Sequence, residues 1–407
     1  MKKQILTMSA AVAVLVAAWG SAFAAGFSIR EQSAEGLGSS FAGIAAGSHG
    51  LSSMYWNPAT ISQHNEQGYI SESNISLILP YSEAKDGVGG FGGSSDSGNI
   101  GVLALVPASY SVYGLTDDIT LGLAINAPLG LATKADAWAG SPHGSSSEVF
   151  TLNVNPNVAY KIGDMLTVAV GVQGEYIAVE LESETPGGAQ FFGGEADDIA
   201  FGFTAGLLFE PMDGTEIGVG FRSSISHKLK GDGFLTPVGF NDGISAKLKT
   251  PEVVTLGIKQ DITDEFRLMA GVEWANWSRF KALDIIRDDT GAILASTPQD
   301  WDDSWFFSIG GEYDWTDELT VRAGFAYEDS GVPDSTRTPR VPDNDRYWVS
   351  VGASYKINGW LTAHAAYSHI FVEDGSINLP AGGGLPSLTA NFDQHIDIVS
   401  ASATIDW

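Results

Sequence analysis

Trp315-Thr316-Asp317-Glu318-Leu319-Thr320-Val321-Arg322-Ala323-Gly324-Phe325-Ala326-Tyr327-Glu328 is a tight polar turn followed by a strict two-residue alternation. Leu319, Val321, Ala323, Phe325 and Tyr327 fall on one face and Thr320, Arg322, Gly324, Ala326 and Glu328 on the other, as successive side chains do along a β-strand. Trp305, Phe307, Ile309 and Tyr313 alternate in the same way with Ser304, Ser308, Gly310 and Glu312, although Phe306 breaks the inner row. Tyr347, Val349, Val351, Ala353 and Tyr355 alternate with Trp348, Ser350, Gly352, Ser354 and Lys356. On a tilted strand Tyr347 and Tyr355 would stand roughly 20 Å apart along a membrane normal, the spacing of two aromatic girdles.

The turn recurs. Leu115 to Thr120, Ile162 to Thr167, Pro211 to Gly214, Ile262 to Phe266 and Ile357 to Thr362 resemble it, and each leads into a strand. Between these turns lie longer segments rich in Gly, Ser, Pro and Asp: Pro186 to Asp197, Gly231 to Ser245, Arg287 to Asp302, Ser330 to Asp343 and Ser376 to Asn391. Tight turns at one end and long loops at the other are the layout of a transmembrane antiparallel β-barrel. Counting from Gln67 gives about fourteen strands, an even number, and the chain closes on Ala401-Ser402-Ala403-Thr404-Ile405-Asp406-Trp407, an alternating strand with a terminal aromatic. A secreted β-sandwich also alternates, but it would need two half-buried sheets rather than one outward apolar face.

Met1-Lys2-Lys3, the apolar run from Ile5 to Trp19 and Ser21-Ala22-Phe23-Ala24-Ala25 read as a secretory signal cleaved after Ala24, so that residues 1–24 leave the mature chain. The run is short for a membrane anchor, which needs about 20 apolar residues. The mature stretch Asn99 to Thr116 is free of charge but interrupted by Pro107, Ser109 and Ser111, so no transmembrane helix is expected. Loss of Lys2 and Lys3 takes the formal net charge from −28 to −30, which argues against nucleic acid as a partner. The absence of cysteine excludes disulfides and thiolate chemistry.

Residues 25–66 differ from the rest, being rich in Gly, Ala and Ser without sustained alternation. One or two short helices are expected within Ala34 to Ala46, and a turn at Trp56-Asn57-Pro58-Ala59, because Pro58 disfavours helix at Asn57. A small apolar segment ahead of a barrel (67–407) suits a plug in the lumen better than a free tail, which would carry more charge. Little here suggests chemistry. Gly87-Val88-Gly89-Gly90-Phe91-Gly92 matches a dinucleotide fingerprint by letter but has no helix after it. His364 and His369, the only close histidine pair, fall on opposite faces of one strand. No catalytic residue, metal site or cofactor is expected. The acidic pairs Asp288-Asp289 and Asp302-Asp303 could hold cations that bridge lipopolysaccharide, although a solvated loop explains them as well.

Ala25-Gly26-Phe27, Ser33 to Gly38 and Asn57-Pro58-Ala59 at the N-terminus resemble the hatch of the FadL family of outer-membrane channels, which includes the TodX-like toluene-uptake members. Ala127-Pro128-Leu129-Gly130-Leu131, Phe221-Arg222-Ser223, Pro251-Glu252, Trp277-Ser278 and Val341 to Trp348 follow in the family's order and spacing. The resemblance covers essentially the whole mature chain. It implies a monomeric fourteen-stranded barrel in the bacterial outer membrane, plugged by residues 25–66, that takes up hydrophobic compounds without acting as an enzyme. It further implies an apolar groove in the third and fourth outer loops, a greasy lumenal pocket, and lateral release beside a kinked strand. By strand count the groove residues are Phe191 and Phe192, then Phe234, Leu235, Val238 and Phe240. These could equally fold onto one another as a satellite core. Leu129 and Leu131 are expected near the pocket, with Phe27, Asn57, Pro58 and Ala59 as hatch and gating residues. The family's fatty-acid carriers place basic side chains near the cargo carboxylate. The fifth strand here reads Tyr176-Ile177-Ala178-Val179-Glu180 and the tenth begins Trp301-Asp302-Asp303-Ser304, without those bases. Arg222 and Arg322 alternate inward and could replace them, or could pair with Glu273, Glu312 or Glu328. Long-chain fatty acid is the expected cargo and neutral aromatic hydrocarbon the alternative. A general porin and an outer-membrane lipid hydrolase are weaker readings, lacking respectively a reason for the plug and a Ser/His pair on one face. The expected partners are the hydrophobic cargo, the bilayer with its lipopolysaccharide, and the assembly machinery that reads Trp407.

Overall fold

The computed structural model describes residues 26–65 and 68–407, so the expected signal segment, residues 1–24, lies outside the described residues. The first half of the barrel comprises β1 (Tyr69–Gly89), β2 (Ala104–Gly114), β3 (Ile119–Asn126), β4 (Gly130–Lys134), β5 (Ser146–Ile162), β6 (Leu166–Glu184), β7 (Gln190–Met212), β8 (Thr215–Arg222), β9 (Ser226–Leu235) and β10 (Phe240–Lys249). The second half comprises β11 (Val253–Asp261), β12 (Phe266–Ala275), β13 (Ala282–Arg287), β14 (Ile293–Pro298), β15 (Ser304–Asp314), β16 (Leu319–Asp329), β17 (Arg346–Asn358), β18 (Leu361–Val372), β19 (Gly375–Leu379) and β20 (Leu388–Asp406). Five staves are broken in two, as β3/β4, β8/β9, β10/β11, β12/β13 and β14/β15, and β19 forms only a hairpin extension against β20. The ring therefore has fourteen staves. It closes where β1 runs antiparallel to both β2 and β20, from Ile70 opposite Asp406 up to Gly89 opposite Leu388.

Closure removes the free edges that an open sheet would expose to lipid, where an unsatisfied backbone group costs several kcal/mol. The alternation decides which face is which. Val170, Val172, Phe201, Phe203, Ile309, Phe325 and Val351 point outward and exposed, an apolar belt that water would not tolerate and hydrocarbon requires. Tyr69, Tyr113, Tyr160, Tyr313, Tyr355, Trp360 and Trp407 ring the end with tight turns, while Trp305, Tyr347, Tyr367 and Phe371 stand toward the other. The tight turns fall where the sequence places them, between β2 and β3, β5 and β6, β7 and β8, β11 and β12, β15 and β16, and β17 and β18.

The segments expected as loops are partly strand. Residues 190–197 belong to β7 and pair with both β6 and β9, and Gly231 to Ser245 is a β9–β10 hairpin whose connection is only residues 236–239. Arg287 to Asp302 contains β14, and Gly87 to Gly89 ends β1. Gly- and Asp-rich composition does not prevent pairing here, because neighbouring hairpins already satisfy the backbone on each flank.

Residues 26–65 lie inside the ring as α1 (Ala34–Gly38) and three 3₁₀ turns, Ile44–Ala46, Leu51–Tyr55 and Pro58–His64. Ser33 caps α1 by accepting from the Gly36 amide. Trp56 to Ala59 starts a 3₁₀ turn rather than making a simple reversal. Asn57 is extended (φ −140°), as a residue before proline prefers, and its side chain accepts from the Ala59 amide. Leu37, Ala45, Met54 and Ala59 are fully buried against the inner wall.

Candidate functional site

Pro128 has no backbone N–H, and the third stave breaks around it: β3 stops at Asn126 and β4 resumes at Gly130. On the β5 side pairing continues past the break, from Asn126 opposite Asn153 to Gly130 opposite Phe150. On the β2 side it stops at Ser109 opposite Ile125, although β2 runs on to Ala104. A lone bridge between Gly101 and Thr133 closes the wall again above. Between these two points the barrel wall has a gap.

The backbone groups freed by the break turn inward and are satisfied by the lumenal segment. Ile29 N donates to Pro128 O and Gly130 N to Phe27 O, both at 2.8 Å, while the Gln32 amide donates to Ala127 O at 2.7 Å. Thr151 serves Leu129 twice, accepting from its N–H at 2.9 Å and donating to its carbonyl at 2.6 Å. The N-terminal segment therefore backs the gap from inside.

Beside it lies a cavity of about 60 Å³, walled by Ser28, Ile29 and Arg30, by Tyr55 and Trp56, by Pro128 and Leu129, and by Arg222 and Glu273 from the barrel. Phe27 stands next to it in a cage of Trp277 (4.8 Å between ring centroids), Trp301 (5.7 Å) and Phe280 (6.0 Å). Leu129 and Leu131 are buried in the same apolar cluster, which reaches up the wall through Leu229 and Leu248. Sequence reasoning noted Trp277 only as a family tag and Trp301 only as the start of a strand. Lone aromatics in aperiodic segments give no signal of facing each other.

The expected groove residues gather higher up. Phe192 and Phe240 are buried together with Ile244 and Ile285, and Phe191 and Leu235 pack on them half-buried. Phe234 lies against Gly193, and Val238 projects exposed at the hairpin tip.

Asn57 ties the lumenal segment to itself and to the wall, donating to Ala45 O at 2.7 Å and to Leu207 O at 3.0 Å. Two wall glycines permit this approach. A Cβ on Gly206 would stand 2.0 Å from the Asn57 side-chain oxygen, and one on Gly220 only 1.8 Å from the Trp56 carbonyl. Pro58 and Ala59 follow, buried against the same wall.

Ion pairs complete the docking. Arg30 bonds Glu273 at 2.8 Å and Glu328 at 3.2 Å with its guanidinium over the Phe306 ring. Arg322 is held by Glu35 of α1 at 2.8 Å and, within the wall, by Glu312 and Ser354, so its donors are occupied and one of them ties the lumenal segment to the wall. Burial pushes the Glu31 carboxyl up to about 7 and the Asp343 carboxyl of the β16–β17 loop up to about 6. Asp343 accepts from Gly26 N at 2.8 Å, linking that loop to the start of the lumenal segment. Arg222 differs from Arg30 and Arg322, donating to the Gln173 side chain and, at 2.9 Å, to the Tyr55 carbonyl. His364 faces inward, 3.2 Å from Glu35, and His369 outward beside Asp397.

The model of the family described as outer membrane protein transport protein (OMPP1/FadL/TodX) matches residues 14–407. The long-chain fatty acid transport protein of Salmonella typhi is 24% identical, with 93% of this chain and 95% of that protein covered. The crystal structure of a Pseudomonas aeruginosa FadL homologue superposes with a TM-score of 0.87 at 24% identity, covering 94% of this chain and 99% of the other. The Ralstonia pickettii toluene transporter TbuX superposes with a TM-score of 0.69 at 18% identity, covering 92% and 98%. The chain belongs to the OMPP1/FadL/TodX family and is an outer-membrane β-barrel transporter of hydrophobic compounds.

Proposed function

We propose that this barrel takes up long-chain fatty acids passively and releases them sideways into the outer membrane. The break in the third stave carries the reading, because a polar-solute channel has no use for a gap in its wall backed by an apolar cluster. Cargo lands on the apolar hairpins bearing Phe191, Phe192, Phe234, Leu235, Val238 and Phe240, descends to the pocket beside Phe27, Leu129 and Leu131, and leaves between β2 and the β3/β4 break. Residues 25–66 act as the hatch, with Asn57, Pro58 and Ala59 as its pivot. The protein works as a monomer among lipopolysaccharide, is delivered through a signal removed after Ala24, and is inserted by machinery that reads Trp407.

Magnitudes support the order of events. A cavity of about 60 Å³ cannot hold a fatty acyl chain, since ligand sites run to several hundred Å³. The hatch must therefore yield. A sixteen-carbon chain gains roughly 12 kcal/mol on leaving water, against about 3–5 kcal/mol for keeping one phenylalanine in its cage. Cargo can displace Phe27 without any other energy source.

The aromatic cage favours a second reading. With Phe27 withdrawn, Trp277, Phe280 and Trp301 would surround a space the size of one ring, suited edge-to-face to a neutral aromatic hydrocarbon. Equilibrium binding of radiolabelled oleate and of toluene to the detergent-purified barrel separates the two. Saturable oleate binding that weakens in Phe191→Asp/Phe240→Asp is expected. Toluene binding alone would move the cargo to hydrocarbons, and binding of neither would end the uptake reading.

A further inference from the structure

We propose that the outer face of the β9–β10 hairpin is a docking site for the phosphates of lipopolysaccharide, separate from the uptake route. In β9 His227 and Leu229 are buried, so Lys228 and Lys230 project to the other face, exposed. In β10 the buried Leu248 sets Lys247 and Lys249 outward in the same way. Register puts all four on one face: Lys228 stands directly opposite Lys247, Lys230 opposite Ser245 and Lys249 opposite Ser226. Among the described residues none of the four makes a salt bridge, whereas Lys85 and Lys259 lie 2.9 Å from Asp393 and Glu216. The neighbouring acids are engaged or stand at the rim. Asp198 accepts from the Lys228 backbone N–H and faces His227, and Asp284 of β13 accepts from Ser296. Asp197, in register with Lys230, and Asp232 bound the cluster on its loop side.

Like charges directly opposite one another destabilise a strand pair, so Lys228 beside Lys247 weakens the hairpin unless an anion lies between them. The height of the cluster identifies that anion. Below Asp197, the next outward positions on β7 are Ile199 and Phe201, 64% and 74% exposed, which form the top of the apolar belt. The lysines therefore rise from the upper edge of the hydrocarbon, where basic side chains draw the anionic head groups of the leaflet. They extend over four residues of strand, about 14 Å, enough to span a disaccharide phosphorylated at both ends. A fatty acid offers one negative charge and would leave the rest of the cluster unmet. A bound head group also ties to the leaflet the hairpin that carries Phe234, Leu235 and Phe240.

The test measures binding of bisphosphorylated lipid A to the purified barrel in detergent, with EDTA present to remove any cation bridge to acidic loops. It is repeated with lipid A stripped of both phosphates and with inorganic pyrophosphate. The wild type is expected to bind lipid A and to lose most of that affinity when the phosphates are removed. At about fivefold per lysine near an anionic surface, Lys228→Gln/Lys247→Gln should bind lipid A roughly thirtyfold more weakly. Lys228→Arg/Lys247→Arg, which keeps both charges, should bind as the wild type does. Lys230→Gln/Lys249→Gln carries the test should the first pair fail to form a heat-modifiable barrel. Equal affinity for the dephosphorylated lipid, wild-type affinity in the glutamine variants, or loss of binding in EDTA overturns the site. Pyrophosphate bound as tightly as lipid A would reduce it to a general anion patch, and loss of oleate binding with lipid A binding intact would give the lysines to the cargo; either result overturns the assignment to lipopolysaccharide.

Discussion

Replacing Gly220 by alanine should open the hatch while leaving the barrel standing. Gly220 faces inward on β8, and the added methyl carbon would lie 1.8 Å from the Trp56 carbonyl oxygen. Ordinary contact requires about 3.4 Å, so Trp56 must withdraw by about 1.5 Å. That distance breaks the two bonds that hold this part of the hatch to the wall, Asn57 to Leu207 at 3.0 Å and Arg222 to Tyr55 at 2.9 Å. At about 1 kcal/mol net each, their loss raises the undocked population by roughly thirtyfold. Nothing on the lipid face changes, and the β8 pairings to β7 and β11 use backbone groups that the methyl does not touch. Two assays follow the hatch directly: the closed-state conductance of single barrels in a planar bilayer, and amide exchange over residues 51–64. Gly220→Ala should leak small ions and lose exchange protection at an unchanged unfolding temperature of the barrel. A correctly folded variant with wild-type conductance and protection would refute the claim that the glycine lets the hatch dock.

Docking should also weaken as pH rises. Burial raises Glu31 to about 7, so the docked state holds a proton there more tightly than the exposed one. That stabilisation is full below the ordinary carboxylate range and is lost as pH rises through about 7. Conductance should therefore rise between pH 5 and pH 8, and Glu31→Gln should flatten the upper part of the rise; a profile unchanged by that substitution would exclude Glu31 as its source. Arg322→Met should cost about 3 kcal/mol or more of docking because it takes the guanidinium from buried Glu35, Glu312 keeping its pair with Arg267, and adding Glu35→Gln should recover part of the loss in the same conductance assay. Trp407→Ala removes a ring 6.4 Å from Tyr69 and a bond to Ser71. It should lower the amount inserted in the outer membrane several-fold while the purified chain still refolds into detergent, and equal insertion in cells would show that the terminal aromatic is not read.

The barrel is legible in the sequence because lipid imposes a period. Leu319 to Tyr327 must present apolar groups on alternate positions, and Thr316-Asp317-Glu318 must reverse the chain within a few residues. The outer hairpins escaped for the converse reason. At residues 190–197 and 231–245 both faces meet water or one another, so no alternation is enforced and the composition looks like loop although the backbone is paired. The fit of the hatch was invisible from a different cause. It is carried by wall glycines such as Gly206 and Gly220, which leave no side chain to read, and by contacts between residues far apart in the chain, such as Phe27 with Trp277. Arg222 was visible as an inward cation, but only the structure separates it from Arg322, whose charge Glu35 and Glu312 already meet.

The gap and the hatch are coupled by the rule that buried backbone groups find partners. Breaking the third stave at Pro128 frees the Ala127 and Pro128 carbonyls and the Gly130 N–H from the β2 side. All three bond to Gln32, Ile29 and Phe27 of the hatch, so the plug stabilises the broken wall as much as the wall holds the plug. On the uptake reading proposed above, withdrawal of Phe27 to Ile29 would leave these groups facing the passage as cargo arrives, with no partner along an acyl chain. Their recovery of hydrogen bonds favours return of the hatch over persistence of the open wall. On that same reading release and resealing would follow one another in a single cycle, the departing cargo giving the N-terminal segment back its place.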